Sequence, residues 1–193
     1  VIKPTRPGGR RAERGAVLVE TVLTVPVYFF LVFTIIEFGL MFRDNLTLAA
    51  VTRDGARGGS VVGADIDADH HILAVIEDTS AVMPAGTIQR IVVYKATSPD
   101  SPPPPACLSS GPQTGLCNVY TTADFGLPAS EFGCRIDRDL DRFWCPSHRN
   151  VRQGNADYLG IYVEILRSMP TGVLGASQTM RDSFVLRLEP TDI

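Results

Sequence analysis

Four cysteines fall in one stretch of the chain, at Cys107, Cys117, Cys134 and Cys145. An even number of thiols in loop-rich sequence reads as disulfides formed in an oxidising compartment. The CxxC-type spacing of a structural zinc site is missing. Proximity along the chain favours Cys107 with Cys117 and Cys134 with Cys145, one of three possible pairings. Acids alternate twice, at Asp65, Asp67 and Asp69 ahead of His70 and His71, and at Asp137, Asp139 and Asp141. Alternating Asp opens a calcium loop, but such a loop needs Gly at its sixth position and Glu at its twelfth. The sixth position is His70 in the first run and Arg142 in the second, and no Glu completes the second. The first run therefore reads as the start of a helix, capped by Asp67 or Asp69 and favoured by the helix dipole. The second, interleaved with Arg135, Arg138 and Arg142, suits local ion pairs. Ser147 and His148 are adjacent, whereas a nucleophile and its base must meet across space. GxSxG, HExxH, a phosphate loop and a dinucleotide glycine motif are all missing from the sequence. The expectation is a protein with no catalytic residues, no metal and no cofactor.

The chain has 193 residues, 45% of them hydrophobic and 20% charged, with a formal net charge of −3. That composition excludes a wholly disordered chain, allows one domain of ordinary size, and gives no reason to propose nucleic acid as a partner. Its charge is unevenly spread. Residues 1–15 hold Lys3, Arg6, Arg10, Arg11 and Arg14 against the single acid Glu13, while residues 16–42 hold only Glu20 and Glu37. Counting from Thr21 to Phe42 gives a helix of about 33 Å, enough to cross a bilayer core. The basic stub is expected on the cytoplasmic side, and everything after Phe42 outside. This agrees with the oxidising compartment inferred from the cysteines. A cleaved secretory signal would place its small residue after the apolar run, and here Gly15 precedes it. Pro26 predicts a kink, and a carboxylate within a span is costly, which singles out Glu20 and Glu37.

Beyond the span, Leu46, Ala49 and Ala50 continue a helical spacing that Gly58 and Gly59 are expected to end. A second helix is expected from Asp67 or Asp69 to about Met83. Strands are expected over residues 87–95, 158–166 and 182–188, with a turn or short helix over residues 170–179. Ile91, Val93, Ile161, Val163, Ile165, Phe184, Leu186 and Leu188 would form the inner face of a small antiparallel sheet. Residues 98–156 open with a polyproline segment and hold all four cysteines; they read as a disulfide-stapled insertion, with Trp144 as core cover. The fold class is α+β: a long N-terminal membrane-spanning helix packed on a small antiparallel sheet. Its expected divisions are a stub at 1–15, a helix at 16–57 with its span at about 16–42, and an outer domain at 58–193.

Gly15, then Ala16, then Glu20 as the fifth residue after Gly15, ahead of a long apolar run, resembles the prepilin peptidase site of type IV pilin-like proteins. With Pro26, the pair Ile36 and Glu37, Gly39, Ala49, Ala50 and the run Gly55, Ala56, Arg57, the segment is similar to the N-terminal region of TadE-like proteins. These are the pseudopilins, or minor pilin-like proteins, of tight-adherence (Flp-type) pilus systems. Major pilins of these systems carry Tyr after the Glu, where this chain has Thr21. The resemblance implies processing after Gly15 and helix packing through Glu20, Pro26, Glu37 and Gly39. It implies a pilin-like fold and a role in pilus assembly from the inner membrane. Its implied partners are other pilin subunits, the prepilin peptidase, the membrane assembly platform and the lipid bilayer. The alternative is a bitopic cell-surface binding or adhesion module anchored permanently by its helix.

Overall fold

The computed structural model describes residues 9–172 and 175–190, and the side chains of the first helix from Val17 onward. The basic stub up to residue 8, the side chain of Ala16, and Val173 and Leu174 of the expected turn lie outside the described residues. Helix α1 runs unbroken over Gly9–Val62 with Pro26 inside it. At about 1.5 Å per residue this is a rod about 80 Å long. From residue 17 to 36 almost every side chain is exposed, apolar ones included. From Glu37 a buried face begins and repeats through Asp44, Leu48, Val51, Thr52, Ala56 and Ser60. Steps of three, four and seven keep these residues on one side of a helix.

The helix does not stop at Gly58 and Gly59. A Cβ on Gly59 would lie 2.4 Å from Leu159 Cδ2 and 2.7 Å from Ile72 Cδ1. Gly59 is a packing position, bare so that α2 and the sheet can approach. Gly63 ends the helix instead, with φ +53° and its N–H donated to the Gly59 carbonyl at 3.0 Å. Glycine adopts this left-handed turn without steric cost.

Helix α2 (Ala68–Ser80) folds back on α1 and buries Ile72, Leu73 and Ile76. The sheet is fully antiparallel in the order β2-β1-β3-β4. Its strands are β1 (Ile88–Ala96), β2 (Cys117–Tyr120), β3 (Tyr158–Ser168) and β4 (Ser177–Arg187). β2 lies in the stapled insertion and was not expected; four residues are too few for alternation to show. β4 begins at Ser177, so the expected turn is partly strand.

One sheet face packs on α1 and α2 through Ile91, Val93, Ile161, Val163, Ile165 and Leu188, with Phe184 and Leu186 partly buried. The α+β arrangement read from the strand patterns is the one present. The opposite face buries Val92, Tyr94 and Tyr162 beneath the segment that carries the short helix α3 (Pro105–Ser109). There the Tyr94 ring lies over Gly160, its register partner on β3, where any Cβ would lie 2.2 Å from Cζ. Two disulfides join Cys107 to Cys117 and Cys134 to Cys145. The first ties α3 to edge strand β2; the second closes the loop above α2.

Candidate functional site

The chain offers two surfaces for work: the apolar half of α1, and a groove at the far end of the domain. Within the apolar half, Thr21, Thr24 and Thr34 donate their hydroxyls to the carbonyls of Val17, Glu20 and Phe30 at 2.7–2.8 Å. This hides polar atoms on the helix's own backbone. Pro26 has no N–H for the Val22 carbonyl. Glu20 and Gly39 are exposed, and an added Cβ on Gly39 would meet nothing within 4 Å. The helix continues through Gly15 and residue 16.

Glu37 behaves differently from Glu20. It is fully buried, and Oε1 accepts the Thr171 N–H at 2.9 Å and the Thr171 hydroxyl. Thr171 lies in the connection between β3 and β4, so the domain reaches down the helix to this level. Two further polar contacts follow outward. Asp44 pairs with Arg167 of β3, Nε to Oδ2 3.1 Å, and the Thr52 hydroxyl donates to Asp182 of β4. Beyond them, the Glu189 N–H donates to the Ser60 carbonyl at 3.0 Å. α1 and β4 therefore run in the same direction, laced by polar contacts.

The groove, a cavity of about 770 Å³, opens where α1 ends; Ile66, Lys95, Ile136, Arg142, Phe143 and His148 are among its walls. Both cysteines of the second disulfide line it as well. Ile136 is 89% exposed. The acids of the 137–141 run do not line it. Asp139 accepts the Arg135 N–H at 2.8 Å and its Nε at 2.9 Å, and the Arg135 hydrogen bonds hold its carboxyl below the usual range. Asp141 accepts the N–H groups of Gly133 and Cys134, fixing Cys134 at φ +65°. Burial pushes the Asp141 carboxyl up. Of the local ion pairs expected for this run, Asp139 makes those with Arg135 and Arg138, while Asp141 is spent on backbone N–H groups. Among the described residues no group of three or more His, Cys, Asp or Glu is placed to hold a metal ion.

The first acidic run departs from its expected capping role. Asp67 occupies the position before α2 without capping it through its side chain. Asp69 is fully buried. It accepts from Asn118 Nδ2 at 2.7 Å and from the Tyr120 hydroxyl at 2.6 Å, and pairs with Arg149 Nη2 at 2.5 Å. Burial, with Asp69 beside it, holds the Tyr120 phenol well above its ordinary range. The Arg149 guanidinium also stacks over Trp144, 4.4 Å from the ring centroid. Trp144 is buried, as its reading as core cover expected. Sequence reasoning missed Asn118, Tyr120 and Arg149 as Asp69's partners, since nothing local links them.

Residues 15–57 match the family model described as TadE-like protein. The chain carries a TadE-like segment. That segment begins at Gly15, contains Glu20, Pro26, Glu37 and Gly39, and ends within the buried half of α1. A TadE-like segment supports a pilus-associated, minor pilin-like role. No curated protein and no solved structure matches the chain. The TadE-like helix is long and apolar enough to cross a membrane. The domain mounted on its second half lies beyond the matched residues.

Proposed function

We propose that this TadE-like protein is a pseudopilin acting in assembly of a tight-adherence pilus. The observation that carries the reading is the division of one continuous helix. Its first half exposes an apolar surface along the TadE-like segment, and its second half is welded to a disulfide-stapled domain. A pilin-like subunit needs both: a helix free to pack against other helices in lipid, and a head that keeps its shape outside. On this reading Lys and Arg of the stub hold the N-terminus in the cytoplasm, and the domain lies across the inner membrane. The prepilin peptidase cuts after Gly15. The freed amino group at Ala16 then pairs with Glu20 of a neighbouring helix, which offsets the cost of a carboxylate in an apolar bundle. The platform and other subunits would engage Pro26 and Gly39, whereas Glu37, expected on the same packing surface, is buried against Thr171 of its own chain. The role is non-enzymatic.

Co-expression with the peptidase, followed by intact-mass measurement, tests the processing step. The expected product begins at Ala16, and Gly15→Ala or a larger residue blocks its formation; an unchanged mature mass in such a variant would sink the processing claim. Removing the gene from a piliated strain tests the role, with loss of surface pili expected and normal piliation overturning it.

One observation favours the second reading, a permanently anchored binding or adhesion module. It is the groove at the outer end with Ile136 almost wholly exposed. Ile136→Asp that abolishes surface adhesion while pili remain normal would support that reading.

A further inference from the structure

The exposed apolar surface of α1 continues past the point where its buried face begins. Phe38, Phe42 and Leu46 are each more than half exposed, on the side of the helix away from the domain. Val17 to Glu37 spans about 30 Å, the thickness of a bilayer's hydrocarbon core. Val17 to Leu46 spans about 43 Å, the thickness with both headgroup layers included. A helix set with Val17 at the inner boundary therefore places Glu37 at the outer boundary. The Phe38, Phe42 and Leu46 strip then falls within the outer headgroup layer.

The β3–β4 connection lies at that same level, because Thr171 holds Glu37. Its composition suits the place. From residue 168 to 180 there is no charged side chain, between Arg167 and Arg181. Pro170, Thr171, Gly172 and Ala176 are exposed. The nearest charges are set one level outward: Arg167 on Asp44, and Arg43 with its side chain 56% exposed at headgroup height. A carboxylate at the apolar boundary is costly unless hydrogen-bonded, and the Thr171 amide and hydroxyl supply those bonds to Glu37.

We propose that residues 169–172 and 175–177, together with the Phe38, Phe42 and Leu46 strip, rest in the outer phospholipid headgroup layer. The domain is docked on the lipid surface at a fixed orientation, where a flexible stalk would have carried it clear. This rests on the reading of α1 as a membrane anchor.

The test uses the full chain in phosphatidylcholine–phosphatidylglycerol vesicles, with and without phosphatidylcholine brominated near the headgroup end of its acyl chains. The protein has one Trp, Trp144, buried at the other end of the domain. Ala176→Trp is the probe, with Pro170→Trp as a second exposed position. Phe30→Trp reports the span, read with lipid brominated deep in the chain, and Ile136→Trp reports the far end. Docking predicts that the Trp emission added at 176 and 170 is blue-shifted and largely quenched, with none lost at 136. Quenching at Phe30→Trp with none at 176 or 170 overturns the docking and leaves the anchor standing. No quenching at any position overturns both.

Discussion

Asp69 at the start of α2 and Arg149 at the end of the stapled insertion form an ion pair with both side chains wholly withdrawn from solvent. The two are 80 residues apart in the chain. Asn118 and Tyr120 of β2 donate to the same carboxylate, so helix, edge strand and insertion meet at one charge. Removing one partner of such a pair strands the other in a low-dielectric interior. Arg149→Ala should therefore cost about 3–5 kcal/mol, and Tyr120→Phe, which loses one hydrogen bond to a charged group, about 1.5–3 kcal/mol. Denaturant unfolding of the detergent-solubilised chain measures both. Equal small losses would show that the cluster is not the joint described.

The neighbouring acids predict an acid response of mixed sign. Arg135 holds the folded carboxyl of Asp139 below its ordinary value, so its contribution is present above about pH 4 and is lost as pH falls through the lowered pKa. Burial raises Asp141, whose contribution has the opposite sign: it is full at low pH and lost as pH rises through the raised pKa. Asp139→Asn should flatten the loss of stability in acid, and Asp141→Asn should steepen it. Thermal unfolding midpoints between pH 3 and pH 7 distinguish these outcomes, and the same slope in both variants would contradict the assignment.

Gly59 and Gly58 should respond differently to alanine. At Gly59 the new methyl meets the buried ends of Leu159 and Ile72, an overpacking that costs about 1–3 kcal/mol and outweighs the roughly 1 kcal/mol gained in helix propensity. At Gly58 the nearest atom is Val75 Cγ2 at 3.3 Å, so Gly58→Ala should be near neutral. The melting temperatures of the two variants give the comparison directly.

Gly39 separates folding from assembly. Among the described residues nothing lies within 4 Å of a Cβ added there. Gly39→Leu should leave the stability and disulfides of the domain unchanged. If a neighbouring helix packs against this position, the variant fails to enter pili; wild-type piliation would remove Gly39 from the helix-packing surface.

Glu37 gives a local readout. Thr171→Val removes the hydroxyl contact and keeps the backbone N–H bond, whereas Glu37→Ala removes both. Hydrogen exchange at the Thr171 amide should rise far more in Glu37→Ala than in Thr171→Val. Equal protection in both would mean that the connection is held by something other than this carboxylate.

The sequence determined those features whose physics is local. An uninterrupted apolar run declares a helix fit for a bilayer, and alternating β-branched residues declare β1, β3 and β4. Closely spaced cysteines declared the two bridges, because short loops bring their ends together readily. The TadE-like segment was legible because its identity lies in an ordered run of residues. Tertiary structure alone decided what depends on distant partners. Asp69 reads as a helix cap until Arg149, Asn118 and Tyr120 arrive from elsewhere in the chain. Gly59 reads as a terminator until α2 and β3 press against it. Glu37 reads as a costly carboxylate in a span until Thr171, 134 residues away, covers it. An acid, a glycine or a threonine carries no sign of the neighbour it will meet. The closure of long loops in the folded chain assigns that neighbour, and with it the energetic role of the residue.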